Sequence, residues 1–151
     1  MNREEFEKLC IAHINRPLDI NEILSREDCK NVVVDAYEYI LRKVQTDSNC
    51  KLNDIVNNFF LSVGYDGYIG NGGISVFFEY EEDPEVWEKT ADALHSIGAY
   101  ESETLLRKAI KNQTADFDIE SYNLDIESYY LDIHSYLYKY LQDNKNYFLE
   151  I

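Results

Sequence analysis

The sequence predicts an all-α fold: a single compact multi-helix domain with a Gly-rich helix–turn–helix corner at residues 64–73. Three observations carry this. Apolar residues recur at intervals of three and four through most of the 151 residues. No stretch keeps a period-two alternation over the length of a strand. Five of the six glycines crowd into residues 64–73, with Gly98 beyond them, which marks a tight reversal leading into a buried helix.

Each element has its own signal. Asn2 and Glu5 read as the cap and reciprocal partner of a first helix carrying Phe6, Leu9, Cys10 and His13 or Ile14 and ending before Pro17. Ser25-Arg26-Glu27-Asp28 reads as the cap of a long second helix. Its stripe of Cys29, Val33, Ala36, Tyr37, Ile40, Leu41 and Val44 should face the core. A third helix starts at Asn53 or Asp54, presents Ile55, Val56, Phe59, Phe60 and Val63, and stops at a left-handed Gly64. The corner, with Gly70, Asn71, Gly72 and Gly73, leads to a short helix carrying Ile74, Phe77 and Phe78. Asp83 caps the next helix with Pro84 at its first position, and Gly98 ends it. Leu105, Leu106, Ala109 and Ile110 mark another helix.

The C-terminal stretch repeats with a period of seven: Asp118-Ile119-Glu120-Ser121-Tyr122, Asp125-Ile126-Glu127-Ser128-Tyr129, Asp132-Ile133-His134-Ser135-Tyr136. Ile119, Tyr122, Ile126, Tyr129, Ile133, Tyr136 and Tyr140 would form one apolar seam, with Leu124, Leu131 and Tyr138 on a second face. A helix apolar on two sides is sandwiched, within the core or between core and partner, and packing in the domain's own core is the favoured reading.

The balance of charge is the strongest functional hint. There are 29 acidic and 14 basic residues, a net charge of −15. Residues 1–60 carry −3, residues 61–100 carry −7 and residues 101–151 carry −5. No Lys or Arg occurs between Lys51 and Lys89. Such a chain repels nucleic acid and anionic lipid and attracts basic partners, although acidity also serves solubility alone. The 13 tyrosines offer no base-stacking groove, because acids rather than bases line them. Tyrosine-rich acidic faces suit protein interfaces. A charged N-terminus and short apolar runs predict a cytoplasmic protein with no membrane span.

Catalytic and ligand-binding patterns are missing. Gly72-Gly73 is followed by Ile74-Ser75 rather than Lys-Ser/Thr, which excludes a P-loop. Ser75 stands where a dinucleotide fingerprint needs glycine. Cys10, Cys29 and Cys50 lie far apart, and His13, His95 and His134 fall on three predicted helices. No metal, cofactor or enzymatic activity is expected.

Tyr68-Ile69-Gly70-Asn71-Gly72-Gly73-Ile74-Ser75-Val76-Phe77-Phe78, Asp92-Ala93-Leu94-His95-Ser96-Ile97-Gly98-Ala99, Leu124-Asp125-Ile126-Glu127-Ser128-Tyr129-Tyr130 and Tyr138-Lys139-Tyr140-Leu141 resemble a bacterial all-helical family. Its best-known branch is the neisserial-type DNA mimic protein. The resemblance spans residues 50–150 and leaves the helices of residues 1–45 unmatched. It implies a homodimer that occupies a transcription regulator and keeps it off its operator.

The acids suit that role. Carboxylates three or four apart on a helix lie about 5–6 Å from one another at the backbone end. Those seven apart lie about 10.5 Å apart. Glu81, Glu85, Glu88 and Asp92 follow such spacing, and so do Asp118, Asp125 and Asp132. With Glu79, Glu82, Asp83, Glu120 and Glu127 they form the expected partner-binding surface, a phosphate-like array for a basic DNA-binding protein. An immunity protein or antitoxin that covers a basic nuclease would use the same charges. An acidic domain with no charge-based partner is the third reading.

Overall fold

At the centre of the molecule runs a helix that the glycines fail to interrupt. The computed structural model describes residues 5, 8, 11, 12, 15–113 and 119–151, without the side chains of 119–122. The chain forms α1 (Ile20–Ser25), α2 (Cys29–Thr46), α3 (Asp54–Gly72), α4 (Ile74–Tyr80), α5 (Pro84–Ser96), α6 (Tyr100–Asn112), α7 (Ile119–Tyr129), α8 (His134–Asp143) and α9 (Lys145–Phe148). No strand occurs among the described residues. Most of the predicted first helix, including Asn2, Phe6, Cys10 and His13, lies outside them.

Helix α3 starts where predicted, with the Asn53 side chain accepting the Val56 amide at 3.0 Å. It then continues past Gly64, which ends nothing. Val56, Phe59, Ser62, Tyr65 and Ile69 are buried at helical spacing, straight through Gly64 and Gly67. Glycine costs a helix interior about 1 kcal/mol against alanine. Burying one large apolar side chain contributes about 1.5–3 kcal/mol, so the stripe wins. The rest of the core wraps this helix: α3 touches α2, α4, α5, α7, α8 and α9. Rings make many of the contacts, including Tyr37 stacked on Phe60 at 4.9 Å and Phe59 edge-on to Phe148 at 5.2 Å.

The expected ten-residue corner is one residue long. Gly73 has φ +93°, the left-handed side that favours glycine. A Cβ there would lie 2.8 Å from the Asp125 Cβ and 2.9 Å from the Asp125 carbonyl oxygen. Helix α7 therefore presses its backbone onto the turn, and its side chains cap α4. Asp125 accepts the Ser75 amide at 2.7 Å and the Ser75 hydroxyl at 2.8 Å. Ser128 Oγ accepts the Ile74 amide at 3.0 Å and donates to the Asp125 carbonyl at 2.9 Å.

The next two signals hold. Asp83 accepts the Glu85 amide at 2.9 Å, with Pro84 at the first position of α5. Gly98, at φ +86°, ends α5 in a Schellman motif, its amide on the His95 carbonyl and that of Ala99 on the Leu94 carbonyl, both 2.9 Å.

The heptad seam is broken as one continuous face, and the side chains of Ile119 and Tyr122 lie outside the described residues. The chain leaves helical conformation between Tyr129 and His134, and Asp132 restarts it by accepting the His134 amide at 2.9 Å. Ile126 is 41% exposed, Tyr129 57% and Tyr136 45%. Ile133 of the seam is buried and Tyr140 partly so, as is Leu124 of the second face, while Ser128, Leu137 and Leu141 supply the rest of the core side. In α2, likewise, Val44 is exposed and Val32 buried.

Helix α1 escaped the sequence reading. Asp19 caps it, accepting the Asn21 amide at 2.8 Å, and Ile20, Ile23 and Leu24 enter the core. Charge pins this segment to α2. Arg26 donates to the buried Asp35 at 2.6 Å, and Arg16 donates to Asp35 and, at 3.2 Å, to Glu38. Burial alone would raise the Asp35 and Glu38 carboxyls. Hydrogen bonds from Arg16 and Arg26 to Asp35, and from Arg16 and Arg42 to Glu38, overcome it and hold both below the usual range.

Two stability tests follow from these contacts. Gly73→Ala should destabilise the fold by about 2 kcal/mol or more, through the left-handed penalty and the clash with Asp125. Gly67→Ala, with nothing within 4 Å of its added Cβ, should instead stabilise it by about 1 kcal/mol. Denaturant melts of the two variants give the contrast. Asp35→Asn should cost about 2 kcal/mol at neutral pH. Because the folded-state pKa of Asp35 is depressed, that stabilisation is present above the unfolded value, about 3.9, and is lost as pH falls through the folded one. Melts across this range should therefore show the gap between wild type and variant closing on the acid side.

Candidate functional site

The acids of the predicted surface have separate fates. Glu79 stands exposed at the end of α4, and Glu81, Glu82 and Asp83 make the connection to α5. That connection is held from both ends. Trp87 Nε1 donates to the Glu81 carbonyl at 2.6 Å while its ring lies edge-on to Phe78 at 4.9 Å. Asp83 spends one oxygen on the α5 cap. No ion pair with a described cation engages Glu79, Glu81, Glu82 or Asp83. These four carboxylates form a short ridge on an ordered backbone.

On α5 the charge is partly compensated. Glu85 pairs with Lys89 at 2.6 Å, and Glu85 above all raises the lysine's pKa. Arg107, reaching across from α6, takes Glu88 at 3.1 Å, Asp92 at 2.6 Å and Glu103 at 2.9 Å. One guanidinium among three carboxylates leaves negative charge in excess and ties α5 to α6. Burial would raise the Glu103 carboxyl, yet hydrogen bonds from Arg107 and His95 hold it low.

The described acids of the C-terminal repeat have separate roles. Both oxygens of Asp125 are engaged by Ser75, so this carboxylate serves the fold. Asp132 lies beyond the end of α7 and caps the start of α8. Asp118 and the Glu120 side chain lie outside the described residues. Glu127 is exposed and lines a cleft of about 500 Å³ with Glu101, Tyr100 and Leu131. Glu101 also borders Asp132 in a neighbouring cavity. Glu101 and Glu103 were missed in the sequence, where acids in the first turn of a helix pass as complements to its dipole.

Other polar groups are absorbed by packing. His134 Nε2 meets Asp66 Oδ2 at 3.2 Å; burial, opposed by His134, raises the Asp66 carboxyl. Cys29 and Cys50 are free thiols. Among the described residues no group of three or more His, Cys, Asp or Glu is arranged to hold a metal ion, and no helix is long and apolar enough to cross a membrane.

The sequence model of the DMP19-like protein family matches residues 50–149, from just before α3 to the last helix. The chain belongs to that family. Comparison with curated proteins and with solved structures gives no significant match. Every acid of the ridge and of α5 falls inside the DMP19-like region, as do Gly73, Gly98 and the Asp125 cap. The Arg16–Asp35–Arg26 lock lies outside it.

The Arg107 hub has a measurable weight. Arg107→Gln should lower stability by about 1 kcal/mol at low ionic strength, since the pairs are half-exposed. Melts repeated in high salt should show the deficit shrinking as screening replaces the lost cation.

Proposed function

We propose that this DMP19-like protein is an acidic binding module that acts as a DNA mimic. It occupies the DNA-binding surface of a basic protein, a transcription regulator in the reading that the family favours, and keeps it from DNA. It works by binding rather than by catalysis. The observation that carries the reading is the ridge of Glu79, Glu81, Glu82 and Asp83, continued by Glu85, Glu88 and Asp92 along α5. Basic DNA-binding proteins gain most of their affinity from phosphate contacts. A protein that offers carboxylates on a rigid frame draws on the same lysines and arginines, with the ordering cost met during folding. Glu127, Glu101 and Asp132 extend the negative surface, while Asp125 is a positioning residue for α4. The exposed Ile126, Tyr129, Tyr130 and Tyr136 offer area to the second copy of a homodimer.

Affinity capture from a bacterial lysate, at about 50 mM and about 500 mM salt, tests the proposal. Basic DNA-binding proteins should be retained at low salt, and released both by high salt and by competing duplex DNA. Recovery of only neutral or acidic proteins would sink it. Recovery of a basic nuclease whose activity is blocked would move the reading to an immunity protein.

A further inference from the structure

We infer that the cleft between the end of α3 and the outer face of α4 is a pocket for an arginine side chain of the basic partner. The inference rests on the proposed binding of basic proteins and names one anchor within it. Tyr68 and Asn71 line the cleft from α3, and Val76, Glu79 and Tyr80 from α4. The first two are three apart on their helix. The other three stand at i, i+3 and i+4, so each set shares one helical face. The cleft holds about 560 Å³, room for a guanidinium and its stem.

Its chemistry has one sign. Tyr68 and Tyr80 lie nearly parallel, with ring centres 5.9 Å apart and planes at 11°. Tyr68 is anchored from behind by Phe77 at 5.9 Å, whereas Tyr80 is 67% exposed and leaves ring area open. Asn71 Nδ2 donates to the Gly67 carbonyl at 2.8 Å, which leaves its Oδ1 to accept. Glu79 adds a carboxylate at the rim. Among the described residues no Lys, Arg or His lines the cleft. Aromatic faces beside acceptors and a carboxylate match a flat, weakly hydrated cation with several donors. Guanidinium meets that description better than ammonium, which keeps its water and cannot stack. The ridge acids attract either cation, and this cleft distinguishes between them.

Calorimetric titration with oligo-arginine and oligo-lysine peptides of equal length tests the pocket. The wild-type protein should bind the arginine peptide about threefold tighter than the lysine peptide. Tyr80→Leu should bring the ratio to about one and leave the lysine peptide's affinity unchanged, with circular dichroism confirming the fold. Glu79→Gln should weaken both peptides. In a 15N-labelled sample, the Asn71 side-chain amide should shift with the arginine peptide and not with the lysine peptide. Equal binding of both peptides by the wild type, or a preference that survives Tyr80→Leu, overturns the pocket while the acidic ridge stands. Failure to bind either peptide overturns both.

Discussion

The architecture depends on the contact of the Gly73 backbone with α7. Two backbones meet there with no room for a methyl group. The approach brings Asp125 and Ser128 within reach of the first amides of α4, donors that a helix start leaves without partners. The start of α4 is thus closed by a helix some fifty residues on in the chain. From that fixed start, α4 sets the position of Glu79, and its end sets the path of Glu81, Glu82 and Asp83 into α5. The acidic ridge therefore inherits its order from a glycine.

Charge is handled differently in two parts of the molecule. Around α2, acids and bases are matched: Asp35 and Glu38 are held by Arg16, Arg26 and Arg42, and removal of Arg16 or Arg26 would leave the buried Asp35 carboxylate short of a partner. Between α4 and α5, acids stand beside one another, and no described cation forms an ion pair with Glu79, Glu81, Glu82 or Asp83, although Lys89, paired to Glu85, feels the charge of Asp83 from further off. Like charges repel, and the backbone absorbs that cost through Trp87, Pro84 and the Asp83 cap. Arg107 moderates the repulsion further along α5 without neutralising it. This contrast, more than the overall charge of −15, makes the ridge a candidate surface.

Features set within a few residues were legible in the sequence. Asp83-Pro84 and Gly98 act as read, because a cap or a left-handed stop is decided by its own backbone. So was the all-helical class, and the acidic middle of the chain. The failures share a cause. Gly64 looked like a stop, but the burial of Tyr65 and Ile69 carried the helix on. Ile126, Tyr129 and Tyr136 looked like a seam with Ile133, but the break before His134 kept only Ile133 of these four inside and turned the core side to Ser128 and Leu137. Asp125 looked like one of a row of surface acids, and it is the cap of a helix far away in sequence.

The sequence by itself determined that this chain is helical, where α5 begins and ends, and that its negative charge gathers in residues 61–100. Those properties follow from local propensity, capping and composition, which need no knowledge of neighbours in space. Tertiary structure alone decided which glycine turns the chain, that Asp125 is spent on a distant cap and Glu88 and Asp92 on Arg107, and that Tyr68, Asn71, Glu79 and Tyr80 line one cleft. Those depend on contacts between residues distant in the chain, and burial at such contacts outweighs the fractions of a kcal/mol by which local preference chooses a conformation.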